Sequence, residues 1–294
     1  MNNSIRKILI YISVISICVS VIIAISHTIK TGNISATQLF AEQSHKIKIL
    51  IVPGHEPNDG GAIYKGVKER DLNVQLARIV NDRLSQDPNL EVIMARDENG
   101  WNKDLQTYVE SNSIQIINWE KKMKDQMLGK VSTGEIDLID TDLVHNDASS
   151  NAVLYLYGTN KWIDENNIDL VLHIHFNNNP KINGRPNYRG YAMYIPERQY
   201  SNSSSSKVFA NYLFDEIDKI QWKSNMPQEK DTIIEDQNLI AIGEYNTLKI
   251  PSVVVEYAYI YEPVMTTKTR RDKFITKAAS STVAAMQKYI KDIF

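Results

Sequence analysis

The chain has 294 residues, with 33 Lys and Arg against 35 Asp and Glu and a formal net charge of −2. Its 43% hydrophobic and 23% charged residues exclude a disordered chain, a collagen-like repeat and a multi-span membrane protein. Near-neutrality argues against nucleic acid as a partner, and the single cysteine, Cys18, excludes an intrachain disulfide and a multi-cysteine zinc site. The length suits one sizeable domain with a small appendage, or at most two domains.

From Ile8 to Ile29 no Lys, Arg, Asp or Glu occurs. At ~1.5 Å per helical residue this run is long enough to cross a hydrocarbon core of ~30 Å. Arg6 and Lys7 precede it, so residues 1–30 predict a single-pass transmembrane helix with a cytoplasmic N-terminus and the rest of the chain outside. A cleaved signal peptide, with its cleavage region near Asn33-Ile34-Ser35-Ala36, is the alternative and would release the remainder as a secreted protein. Residues 31–45 are polar and read as a linker, reaching on the order of 20 Å as a random coil. An exported domain without disulfides fits a bacterial envelope.

The domain of residues 46–294 opens with Ile47-Lys48-Ile49-Leu50-Ile51-Val52, a buried strand halted by Pro53-Gly54. Lys68 to Leu84 carries apolar residues at helical spacing, and Leu90 to Ala95 is a second strand. Residues 101–167 predict two helical stretches, with Gly129 and Thr133-Gly134 marking the break. Asp169 to His175 is a third strand, followed by the polar turn Asn177-Asn178-Asn179-Pro180. Gly190 to Ile195 and Ser252 to Ile260 are further strands. Ser201 to Ser206 reads as a loop before a helix around 207–220, and a helix from about Thr267 to Ile290 closes the chain. Strands alternating with helices predict a layered α/β fold, with a mostly parallel or mixed central sheet flanked by helices.

In such sheets reactive groups collect at the carboxyl ends of strands. Three of the six histidines fall there: His55 after the first strand, and His173 and His175 at the end of the third. His173 and His175 are two apart and share a face, as metal ligands or as a hydrogen-bonded core pair. Glu256 interrupts the apolar run Val253-Val254-Val255-Glu256-Tyr257, where a lone carboxylate is costly unless paired or near a cation. His27 lies in the apolar run, His45 in the linker and His145 in a polar stretch, 142–147, that reads as a solvated loop.

Six pieces, taken in order, resemble the zinc-dependent N-acetylmuramoyl-L-alanine amidases of the cell-wall amidase type 3 family. They are Ile51-Val52-Pro53-Gly54-His55, Asp59-Gly60-Gly61-Ala62, Lys68-Glu69-Arg70-Asp71-Leu72-Asn73, Ala95-Arg96-Asp97, Asp169 through Asn177, and Ile250-Pro251-Ser252-Val253-Val254-Val255-Glu256. The resemblance implies a Zn2+ site of His55, Glu69 and His175, with Glu256 as the catalytic carboxylate. It also implies hydrolysis of the amide bond between N-acetylmuramoyl and L-alanine in peptidoglycan. Three protein ligands leave a fourth position for water, whose pKa zinc brings to about 7.

The chain departs from the family's pattern in places. Glu56 adds a carboxylate beside the expected metal. His173 stands where the family has Ser, and with Arg96 these are expected to support the ligands. Tyr257-Ala258-Tyr259 changes the pocket wall. A long, charged segment, 98–168, predicts a helical insertion that could gate the cleft, and its deletion would then raise activity on isolated muropeptides. The competing functions are a zinc peptidase with another substrate and a non-catalytic wall-binding domain; a protein activator is a further possible partner.

Overall fold

The computed structural model describes residues 46–57, 61–139, 148–178 and 188–294. The expected transmembrane segment and linker, with His27 and His45, fall outside the described residues, as does His145; among the described residues no helix is long and apolar enough to cross a membrane.

Strand β1 (Ile47–Pro53) leads through a small hairpin, β2 (Ile63–Tyr64) and β3 (Val67–Lys68), into helix α1 (Glu69–Leu84). Strand β4 (Leu90–Met94) precedes helices α2 (Lys103–Ser111), α3 (Ser113–Ser132) and α4 (Ser150–Glu165). Then follow β5 (Leu170–Asn177), β6 (Ala192–Pro196), α5 (Ser203–Ile217), β7 (Ile233–Asp236), β8 (Ser252–Tyr259) and α6 (Lys268–Ile293). One six-stranded sheet runs in the order β4-β1-β5-β8-β6-β7. Its first four strands are parallel, and β6 turns antiparallel against β8, so the sheet is mixed.

Period-2 alternation sends the two faces of each strand to different cores. Ile49, Ile51, Leu170, Leu172 and Ile174 pack against Leu76 and Val80 of α1, Leu213 of α5 and Ile275 and Met286 of α6. Leu50, Val52 and Val171 pack instead against Leu105, Val109, Ile116, Tyr155, Trp162 and Ile163. Helices α2, α3 and α4 of the segment 98–168 therefore form the second helical layer, with Leu105, Val109, Ile116, Tyr155, Trp162 and Ile163 buried in its core while Ile114, Ile117 and Leu128 stay exposed.

Three local readings change. The break expected at Gly129 does not occur, because that glycine lies inside α3; the helix ends at Thr133 and Gly134, the latter at φ 73°. Among its described residues the 101–167 stretch then holds three helices, not two. Of the serines read as a loop, Ser201 stays outside the helix while Ser203 to Ser206 form the first turn of α5, where the Ser203 hydroxyl donates to the Pro196 carbonyl at 2.8 Å and Ser206 Oγ accepts from the Ser252 amide at 3.0 Å. Hydroxyls occupied in this way no longer compete with helix formation.

Candidate active site

The site lies at the carboxyl ends of β1, β5 and β8. After Pro53 the chain passes through Gly54 to His55, which takes a left-handed φ of 68°. That conformation is costly for a residue with a side chain and is held by its surroundings. Gly54 has no room for a side chain: an added Cβ would stand 2.5 Å from His175 Nδ1 and closer still to Cε1 and Nε2. Gly61, at φ 57°, is as tightly placed against the His55 ring, with His55 Cε1 at 2.6 Å from an added Cβ. The two glycines of the sequence motifs are thus the clearance that lets both imidazoles enter one site.

Glu69 is the first residue of α1, where the helix dipole favours a negative charge. Its Oε2 lies 2.8 Å from His55 Nε2 and its Oε1 3.2 Å from His175 Nδ1. The backbone amides of Ala62 and Phe176 donate to the same carboxylate at 3.1 and 3.3 Å. Burial pushes this carboxyl up, but the hydrogen bonds and charges of the two histidines outweigh it and hold Glu69 well below the usual carboxylate range. One donor atom from each of His55, Glu69 and His175 lies within 4.8 Å of the others. Burial lowers the pKa of His175 despite its bond to Glu69, which favours the neutral imidazole that a metal requires.

Glu256 is the register partner of His175 across the β5–β8 pair and shares its face. Its Oε1 stands 4.0 Å from His175 Nδ1, and its buried Oε2 has no hydrogen-bond partner. Burial first, then the charges of Glu69 and Glu229, raise its pKa well above the ordinary value.

The three supporting residues divide. Arg96 is buried behind the β1–α1 loop, donating to the Pro53 carbonyl at 3.0 Å, to the Gly54 carbonyl, and to the Arg70 carbonyl at 3.2 Å. It ties down the backbone on either side of the ligands without touching their side chains, and its burial lowers its pKa to about 10. Asn73 adds a hydrogen bond to the Gly54 carbonyl at 3.1 Å. His173 lies below His175 on the same face, outside the donor cluster; burial and the neighbouring His175 push it down to about 3, so it is neutral. Glu56 is also outside the cluster. Its carboxylate accepts from the Asn151 side chain on α4, which ties the β1–α1 loop to the second helical layer.

One buried acid near Glu256 was not visible in the sequence. Glu229 stands in the polar stretch Pro227-Gln228-Glu229-Lys230-Asp231, where nothing marks it as internal.

A family model described as N-acetylmuramoyl-L-alanine amidase matches residues 49–288. The chain belongs to this amidase family. Among solved structures the amidase resembles an N-acetylmuramoyl-L-alanine amidase from Clostridium difficile 630 at 16% identity, TM-score 0.52, covering 85% of this chain and all of that one. It also resembles the CwlD amidase from Clostridioides difficile, solved in complex with the GerS lipoprotein, at 16% identity and TM-score 0.54, covering 84% of this chain and 100% of that one. The CwlV catalytic domain from Bacillus (Paenibacillus) polymyxa matches at 17% identity and TM-score 0.52 over 83% and 98%. At these identities the likeness carries the fold. No curated protein matches the amidase by sequence.

Proposed function

We propose that this amidase cleaves the bond between N-acetylmuramoyl and L-alanine with a zinc ion held by His55, Glu69 and His175 and with Glu256 as its proton carrier. The observation that carries the reading is the three-residue donor cluster with the unpartnered Glu256 Oε2 beside it. Two imidazoles and a carboxylate, with no thiolate, form a donor set suited to a catalytic zinc. When bound, zinc supplies Lewis acidity toward the scissile carbonyl and lowers the pKa of an associated water.

The chain's own residues supply the rest. Glu69 is fixed by two backbone amides and orients both imidazoles. Arg96 holds the carbonyls of the loop that carries His55. Glu256, buried and with a raised proton affinity, is suited to accept a proton from the attacking water and return it to the departing amine of L-alanine.

The apolar run 8–29 supports a placement outside the cytoplasmic membrane, tethered unless the segment is cleaved. The structure of CwlD with a lipoprotein motivates a protein partner for this chain as well.

Dye release from purified sacculi, with mass spectrometry of the products, tests the reading. Release should stop with a chelator, return with zinc, and yield free L-alanine amino termini. Undiminished release in the chelator, or products cut within the peptide, would overturn it.

A further inference from the structure

Glu229 ends a short 3-10 turn, Pro227–Glu229, and is only 1% exposed. Its Oε1 accepts from Tyr194 Oη at 2.7 Å and from Asn177 Nδ2 at 2.8 Å. Its Oε2 accepts from Tyr259 Oη at 2.9 Å and from the Ser224 hydroxyl. Each oxygen accepts twice, the full capacity of an ionised carboxylate. None of the four partners is a cation. Burying a carboxyl group among neutral donors is costly unless it is hydrogen-bonded, so each of these contacts counts.

Three of the four donors come from neighbouring strands, and Ser224 lies in the connection before the 3-10 turn. Asn177 ends β5, Tyr259 ends β8 and Tyr194 lies on β6. Asn177 and Tyr259 also face each other just past a register slip. His175 pairs with Glu256, but two residues later on β5 the partner on β8 is three residues on, at Tyr259. Such bulges bend a strand and re-aim the side chains beside them. Here those side chains are His175 and Glu256.

We propose that Glu229 is a positioning residue: by clamping Asn177 to Tyr259 across the slip, it sets how His175 and Glu256 project into the site. The inference rests on reading His175 as a metal ligand and Glu256 as the proton carrier. Glu229 itself touches neither substrate nor metal. With Asn177 donating through Nδ2, a glutamine that keeps its oxygen toward Asn177 turns its own donor toward Tyr259 and Ser224, whose hydroxyls must then switch from donating to accepting. The clamp then loosens on the β8 side.

The test measures zinc affinity by chelator competition, kcat and KM on a muropeptide, and Tm, for Glu229→Gln, Tyr259→Phe and Tyr194→Phe. Glu229→Gln and Tyr259→Phe are expected to weaken zinc binding and lower kcat by roughly 10- to 100-fold with KM little changed. Tyr194→Phe removes the donor on β6 but leaves Glu229 bonded to both Asn177 and Tyr259, so zinc affinity and kcat should fall by less than in either other variant even where Tm falls as far. The double variant Glu229→Gln/Tyr259→Phe should be no worse than the poorer single one. Wild-type zinc affinity and turnover in Glu229→Gln overturns the proposal, as does a parallel fall of Tm and activity in all three variants. Should Glu229→Gln not fold, Tyr259→Phe, which keeps the carboxylate, decides by the same readouts. A wild-type protein without zinc-dependent turnover sinks the metal reading instead, whereas an active wild type matched by its variants sinks only the clamp.

Discussion

Replacing Gly54 by alanine adds a single methyl group and should disable the site. The new Cβ would stand 2.5 Å from His175 Nδ1 and closer to two further ring atoms. Carbon contacts settle near ~3.5 Å, so the imidazole must withdraw by ~1 Å or more. It has little room to do so, because its Nδ1 lies 3.2 Å from Glu69, itself held by two amides, and its ring meets the His55 ring edge-on at 5.2 Å. Overpacking of this kind costs about 1–3 kcal/mol, a fall in Tm of several degrees for a domain of this size. The larger effect is on chemistry, since a 1 Å misplacement can cost on the order of 100-fold in rate. Gly129→Ala is the matched control. It lies inside α3 with nothing within 4 Å of its added Cβ, so it should stabilise by about 0.5–1 kcal/mol and leave turnover unchanged. Zinc content, kcat on muropeptides and thermal melting of both variants measure the contrast. A Gly54→Ala protein with full zinc occupancy and normal kcat would refute the claim that this clearance admits His175.

Other outcomes follow from the same geometry. Glu256→Gln should lower kcat by at least ~100-fold while zinc stays bound, read by turnover and metal analysis on one preparation. Arg96→Lys cannot reach three carbonyls at once, so it should lose about 2–4 kcal/mol of stability in a denaturant titration and weaken zinc binding. Glu69 has a folded-state pKa below its ordinary 4.5, so the folded metal-free protein binds fewer protons there than the unfolded chain. Its contribution is complete above pH ~5 and fades as pH falls below the ordinary carboxylate value; Glu69→Gln should flatten that acid limb of the stability curve. Deleting residues 98–168 should leave an aggregating chain, seen by size-exclusion chromatography, because it strips Leu105, Val109, Tyr155 and Trp162 from the sheet.

The readily legible elements carry strong periodic signals. The strands at β1, β5 and β8 are near-continuous apolar runs, as strands buried on both faces must be, and α1 and α6 repeat their apolar positions at helical spacing. The hairpin of β2 and β3 and the edge strand β7 are two to four residues long and partly charged, too short for a period to register. Gly129 misled because an isolated glycine costs a helix only ~1 kcal/mol, which packing of Ile116 and Met127 outweighs. At the site, the order of the motifs named His55, Glu69, His175 and Glu256, all of which the fold brings together.

What the sequence determined by itself was the chemistry on offer: imidazoles and carboxylates at strand ends, glycines beside them, no usable thiol. Local pattern suffices there, because alternation and strand ends are properties of neighbouring residues. Which of these groups meet was decided only by the tertiary structure. Period-2 spacing puts His173 and His175 on one face alike, and it is the end of the sheet, not the face, that leaves one beside Glu69 and the other sealed below. Adjacency in sequence likewise placed Glu56 near the metal, yet packing of α4 draws it to Asn151, while Glu229, from an unremarkable polar stretch, is carried into the interior. Contacts between residues dozens to more than a hundred positions apart depend on strand order and on how helices cover the sheet, and no local pattern encodes either.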